Sequence, residues 1–386
     1  MASIGKRVAL LRKLAGTRMT QETLARKMNV SASLIRGVEQ ERIPPSHDFL
    51  ASAARVFGLG VQDITGQHFD ALTAAHGSER TAVAGMRALL YGAKALHDDP
   101  PTLDVLRQDV CRLRALSDDG KFSALLDEAP DVIRGLHAHE GELASKLLAE
   151  SYGAVEYGLC RFGAFDLAAL AIREGRDAAS HSGDPLEVAV ADYRQALLLM
   201  GEGAYAEAVR LVSDARRVAD EAQKNAAYFS VRGALHLRSA ILAARGSNAQ
   251  LAETHLAEAL DASRWSGKDD PYGVLFSKAN TDIHRVSVAV ELGNGTAAIQ
   301  HASSMSLPKH MASSRLGHLH IDCAQAWLLH GDAANALQRL EKARRIAPQL
   351  VRYNSKAQTL ARTIAANELR RSSKVANFVR WMGVKM

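Results

Sequence analysis

Apolar side chains return every three or four positions from the start of the chain. Ile4, Val8, Leu11 and Ala15 predict a first helix, ended at Gly16. Thr20 is placed to cap a helix over 21–28 with Leu24, Ala25 and Met28 inward. Asn29 breaks it, and Val30 plugs the turn. Ser31 caps the next helix, 32–40, which turns Ile35 and Val38 inward. Pro44-Pro45 stops the chain, and Ser46 opens a fourth helix with Leu50, Ala54 and Phe57 on one side. Gly58 and Gly60 close it before a last turn with Val61 and Ile64.

Residues 67–80 read as a linker with some helix. A connecting helix is expected over 81–97, carrying Val83, Met86, Leu89, Leu90 and Ala93 on one face and broken by Asp99-Pro100-Pro101. Beyond it a motif repeats: a Gly, then an Ala five residues on. The copies are Gly163 and Ala168, Gly203 and Ala208, Gly293 and Ala298, and Gly331 and Ala336; Gly246 and Ala252 form a variant with one extra residue. The glycines are 40, 43, 47 and 38 residues apart, and each lies between two apolar helical stretches. Helix pairs of this period cannot bury their faces alone and must stack.

Composition agrees. The 386 residues are 47% hydrophobic but only 5% aromatic, with 9 prolines. That favours helices over a β fold. Length alone calls for more than one domain. Charge is uneven. Residues 1–66 hold ten Lys or Arg against five acids, a surplus of five out of the chain's net +6. A basic module on a nearly neutral body is the footprint of a nucleic-acid binder.

Two short capped helices around a tight turn make a helix-turn-helix. The segment TQETLARKMNVSASLIRGVEQERIPPS resembles the lambda-repressor-like, or XRE, class of such domains. Gln21, Leu24-Ala25, Val30-Ser31, Ile35, Glu39 and Pro45-Ser46 carry the resemblance in order and spacing. One position departs: Glu41 stands where the family often has Gly in the turn after the recognition helix. The resemblance implies that the helix after Ser31 enters the major groove, where each base pair shows a distinct donor and acceptor pattern. By position Ala32, Ser33, Arg36 and Gly37 then face the bases, with Arg36 the best reader of guanine. Gln21 and Ser31 suit phosphates at helix N-termini, and Arg42 the flanking backbone. Leu34 falls where a polar residue would be usual. Glu39 reads as structural, the partner of a cation on the first or second helix.

The repeats resemble the tetratricopeptide superfamily, whose pattern includes Gly-x-[Tyr/Phe]-x-x-Ala and a Pro near the repeat end. Gly203-Ala204-Tyr205 with Ala208, and Ala347-Pro348, match it. The periods exceed the family's roughly 34 residues. Together the halves resemble helix-turn-helix plus tetratricopeptide regulators of actinobacterial type, similar in architecture to the peptide-sensing, quorum-sensing regulators of Gram-positive bacteria. The fold class expected is all-α: a five-helix lambda-repressor-like DNA-binding domain at 1–66, a linker and connecting helix at 67–100, and a TPR-like α-solenoid with a C-terminal capping helix at 101–386.

Stacked pairs form a concave groove, which in such folds takes extended peptides or partner helices. The first helices of the pairs offer Tyr193, Arg232, His236, Asn280, His284 and Arg315 as ligand-binding candidates. Asn280 and His284, four apart, share a face. Tyr152 and Tyr157 read as core. Catalytic chemistry finds no support. His137-x-His139 and His318-x-His320 place their rings on different faces, His139-Glu140 lacks the second histidine of H-E-x-x-H, and no Walker-type loop occurs. The three cysteines show no C-x-x-C, so neither a metal nor any other cofactor is expected. The start lacks a signal-peptide core, and no apolar run approaches a membrane span, so a cytoplasmic protein is expected. The expected partners are a palindromic duplex operator, a second copy of the chain and a peptide or small-molecule effector. Two other readings stay open: a repeat adaptor with vestigial DNA binding, and an autorepressor that senses nothing.

Overall fold

A computed structural model describes residues 4–15, 19–65, 77–92, 99–368 and 372–383. Residues 67–76 of the expected 67–80 linker, the end of the connecting helix at 93–97 and Gly16 lie outside the described residues; 77–80 are helical. Among the described residues every regular element is a helix.

The head holds α1 (Ile4–Leu14), α2 (Gln21–Met28), α3 (Ala32–Glu39), α4 (His47–Phe57) and α5 (Val61–Thr65). Its caps follow the hydroxyl residues. Thr20, Ser31 and Ser46 each accept from the backbone N–H three positions on, and Asn29 and Gly58 end α2 and α4 in the left-handed region. Val8, Leu24, Ile35, Val38, Leu50 and Ile64 form one small core. Leu34, expected outside, packs half-buried against that core.

Behind the head, α6 (Gly77–Tyr91) sends Ala82, Val83, Met86 and Leu89 into the first core of the solenoid. Six antiparallel pairs follow: α7 and α8 (Leu103–Asp118, Phe122–His137), α9 and α10 (Glu142–Arg161, Phe165–Ser180), and α11 and α12 (Pro185–Gly201, Tyr205–Ala219). The next three are α13 and α14 (Ala226–Arg245, Ala249–Ala262), α15 and α16 (Lys278–Glu291, Gly295–Ser304), and α17 and α18 (Ser313–Leu329, Ala333–Ile346). Three short helices end the chain: α19 (Pro348–Tyr353), α20 (Ser355–Glu368) and α21 (Ser373–Met382). The last buries Val375, Phe378, Val379 and Met382 in the core shared with α17, α18 and α20.

The repeat motif has a physical basis. Gly163, Gly203, Gly293 and Gly331 end first helices with φ between +74° and +89°, a conformation that costs an L side chain about 1 kcal/mol or more. In the variant copy the role passes to the extra residue, Ser247, at φ +56°. Each following alanine, from Ala168 to Ala336, is fully buried where the two helices of its pair cross. One further copy escapes the sequence pattern, because Gly120 turns at φ +70° but is followed by Leu125 instead of Ala.

The pairs stack into a superhelix whose inner side is the expected concave surface. After six of them the superhelix meets its own beginning. Ala347, Leu350 and Tyr353 join the core of Phe122 and Phe162. The Tyr353 ring stands edge-on to Phe162 at 5.0 Å, and its hydroxyl donates to Glu79 of α6 at 3.0 Å. The loop between α14 and α15 turns inward as well. Tyr272, Val274 and Phe276 are buried, with the Tyr272 hydroxyl donating to Asp184 at 2.6 Å. Gly233 makes room, since a Cβ there would lie 2.0 Å from the Phe276 ring.

Two substitutions at the turns should act in opposite directions. Gly293→Ala meets no atom within 4 Å, so backbone strain alone should cost about 1 kcal/mol. Ser247→Gly should relieve the same strain and gain about 0.5 kcal/mol, net of the entropy glycine adds to the unfolded chain. Urea melts followed by circular dichroism would read both.

Candidate nucleic-acid interface and effector site

Three helices position the recognition surface through one part-buried ion pair. Arg12 of α1 grips Glu39 at the end of α3 with both ends of its fork, Nε to Oε1 at 2.7 Å and Nη2 to Oε2 at 2.9 Å. Its third nitrogen donates to the Met19 carbonyl at 2.9 Å. Gln21 at the start of α2 donates to the same carboxylate at 2.7 Å. Glu39 is therefore structural, as its position suggested. Burial alone would raise its carboxyl, but hydrogen bonds from Arg12 and Gln21 outweigh that and hold it below the usual range.

This changes the reading of two expected DNA-facing residues. One Gln21 amide N–H is spent on Glu39, which leaves its second N–H and the backbone N–H groups at the start of α2 for a phosphate. Gly37 is buried, and a Cβ on it would stand 2.5 Å from the Ile43 side chain. It is the position over which the chain folds back, with Arg42 and Ile43 both donating to its carbonyl. The other expected residues lie outward. Ser31, Ser33, Arg36 and Arg42 are exposed and Ala32 is half-buried. The turn after α3 forms despite its acidic residue, with Glu41 carrying the left-handed φ of +61° itself.

The opposite side of the head meets the solenoid. Gly203 lies so close to α4 that a Cβ would be 2.8 Å from Ala51, and Tyr205 packs on the head's core. His47, at the first position of α4, reaches a charged network of three repeats. There Arg245 pairs with Glu291 at 3.4 Å, and Lys356 holds Asp322 at 2.7 Å and lies 4.0 Å from Glu291. Arg245 and burial draw the His47 imidazole down to about 3, so it is neutral when docked. Docking thus leaves the recognition face open.

The expected effector residues divide into two groups. Tyr193, Asn280, His284 and Arg315 come together inside the ring, on α11, α15 and α17. Arg238 lies 4.2 Å over the Tyr193 ring, Arg161 lies 4.9 Å over Tyr157, and the Tyr157 hydroxyl meets His318 Nε2 at 2.7 Å. Burial would raise the Tyr193 phenol; Arg238 and Arg315 beside it outweigh that and lower it. Burial and then Arg315 draw His284 down to about 3.

Arg232 and His236 do not join them. They line an outer cleft of about 480 Å³ with Arg216, Asp220, His255 and Glu258. Arg232 pairs with Asp220 at 2.9 Å, and His236 meets His255 at 3.1 Å through facing Nδ1 atoms. They point away from the interior because they sit on the side of α13 that packs against α12 and α14. Sequence reading missed Arg161, Arg194 and Arg238. Their signal was there: each is a charged residue within a first helix that is otherwise mostly apolar.

No family model and no curated protein matches the chain in sequence. Two solved structures are similar to it. One is PlcR of Bacillus thuringiensis in complex with the peptide PapR7 and DNA, at 12% identity over 93% of this chain and 99% of that one, with a TM-score of 0.34. The other is the apo form of ComR from S. thermophilus, at 13% identity over 96% and 99%, with a TM-score of 0.29. No described helix is long and apolar enough to cross a membrane.

Two outcomes follow from the geometry. Arg12→Met leaves the part-buried Glu39 with Gln21 alone and should cost the head about 1–2 kcal/mol, read by hydrogen exchange of α1 to α5. His47 docks neutral, and its docked pKa lies below its free value of about 6.5. Docking is therefore fully favoured above pH 6.5 and weakens as pH falls toward 3. Glu291, held near 2 against its burial by Arg245, stays charged through that window. The radius of gyration should grow between pH 7 and pH 5, and grow less in His47→Gln.

Proposed function

We propose that the chain is a sequence-specific DNA-binding transcriptional regulator, and that its solenoid senses an effector. The observation that carries this is the exposed face of α3, with Ser33 and Arg36 outward beside Ala32, held by the Arg12–Glu39–Gln21 clamp on a basic head. A helix so presented fits the major groove, and an arginine there can pair bidentately with guanine. Ser31 and Arg42 flank it and suit phosphates. One head spans a half-site, so the working form is a homodimer on a two-fold operator. The interior residues Tyr193, Asn280, His284 and Arg315 belong to the effector site. Arg232 and His236 do not.

Effector binding acts by favouring one arrangement of head and solenoid over another. The His47 contact is the element it biases, because it links the head to two repeats and to α20 at once. An enzyme is not proposed: the buried Cys160 thiol beside Glu156 is pushed well above its ordinary pKa by burial, which keeps it a poor nucleophile.

Gel retardation with the DNA upstream of the chain's own gene tests the regulator reading. Specific binding is expected, weakening with salt. Arg36→Ala should cost about 1–3 kcal/mol and relax the sequence preference, while Arg42→Ala should weaken all sequences alike. Weak binding that ignores sequence, unchanged in Arg36→Ala, would count for the adaptor reading instead.

A further inference from the structure

The interior of the ring holds four arginines that no described carboxylate grips directly. Arg161, Arg194, Arg238 and Arg315 come from α9, α11, α13 and α17, each only partly exposed. Among the described residues none has a carboxylate within 4.0 Å, whereas Arg114 pairs with Glu150 at 3.6 Å and Lys146 with Glu187 at 3.5 Å at the edge of the same space. The other acids in electrostatic range are Asp118, Glu156 and Asp270. Burial pushes Asp118 and Glu156 up, to about 6 and about 7, which weakens them as counter-charges, and the Asp270 carboxylate accepts from the Val274 and Leu275 backbone.

The arginines are held in place by rings and by a missing side chain. Arg161 and Arg238 lie over Tyr157 and Tyr193. A Cβ on Gly153 would fall 2.1 Å from Arg194, so glycine there is what lets that guanidinium lie across α9. The Nε atoms of Arg161, Arg238 and Arg315 are buried without a hydrogen-bond partner. A second, independent feature lies one turn from His284. Asn280 is 2% exposed, and its Oδ1 accepts no hydrogen bond. A buried polar atom left unpaired costs about 1–3 kcal/mol, and clustered guanidinium groups repel. Both costs are removed by one kind of molecule.

We propose that the ring interior binds a compact hydroxy- or amino-polycarboxylate, its carboxylates on Arg161, Arg238 and Arg315 and its O–H or N–H donated to Asn280. Arginine forks match carboxylates bidentately, and such bonds are the strong ones. The closed ring disfavours an extended peptide, which needs an open groove along which to lie. This ligand deepens the effector reading and rests on it for its purpose, while its binding needs no DNA.

Thermal melting of the full chain, at constant ionic strength, with malate, citrate, aspartate, succinate, inorganic phosphate and an acidic hexapeptide tests it. At least one of malate, citrate and aspartate should raise the melting temperature and titrate calorimetrically to one site per chain. Succinate, which lacks the donor, should bind about tenfold more weakly than malate. Arg315→Gln and Arg238→Gln, made separately, should each weaken binding about tenfold or more, and Asn280→Ala should erase the preference for malate over succinate. Arg216→Gln, in the outer cleft, should change nothing.

The proposal is overturned if no polycarboxylate acts beyond chloride, if phosphate or the hexapeptide acts and the small acids do not, or if both interior arginine variants bind as the native chain does. Should a variant not fold, the malate and succinate titrations of the native chain still decide. Failure of this binding with specific DNA retardation intact would remove the ligand and leave the regulator reading standing. The converse result would remove the regulator and leave the site.

Discussion

A six-residue helix near the end of the chain sets the shape of everything before it. Ala347, Leu350 and Tyr353 reach back to Phe122 and Phe162, and the Tyr353 hydroxyl reaches Glu79. A stack of pairs in contact only with its neighbours would remain a spring, with a groove open along its length. Apolar burial between its two ends, at roughly 25 cal/mol per Å² of area removed from water, closes the spring. First helices that would have faced an open channel then face each other, and Tyr157 meets His318 across 161 positions of sequence.

Closure explains why the inner residues are so polar and yet so hidden. An arginine in a wet groove is ordinary. Inside a ring the same arginine is partly stripped of water and gains from a ring face or a ligand. Tyrosines meet part of that need for Arg161 and Arg238. The inner loop fills part of the remaining space, with the Asp270 carbonyl accepting from Arg114 and the Tyr272 carbonyl from Arg194 at 3.3 Å.

The head is attached where two repeats meet α20. His47 lies in the field of a charged network drawn from α13, α15 and α20, and Gly203 gives α4 the close approach it needs. Lys356 belongs to this network and also lies within electrostatic range of His318, inside the ring. The head and the interior therefore share a boundary made of charge, which responds to what is bound or protonated on either side. Packed apolar cores shift in steps and transmit strain, so a small change at this boundary has a route to the head.

Most of what short-range chemistry controls is written in the order of the residues. Hydroxyl caps, the breaks at Asn29 and Gly58, and the Gly-to-Ala interval of the repeats each act within one or two turns, so they were legible without coordinates. The outward lie of Ser33 and Arg36 came the same way, from their register opposite Ile35 and Val38. Tertiary structure alone decided three things: the closing of the ring, the tie from Gln21 to Glu39, and the parting of Arg232 and His236 from Tyr193, Asn280, His284 and Arg315. Each of these joins residues on different helices, and helical periodicity names the face a side chain is on but not what that face will meet. Gly37 shows the limit within a single helix, because it shares the register of the recognition residues and was turned inward only by the return of Ile43 across it.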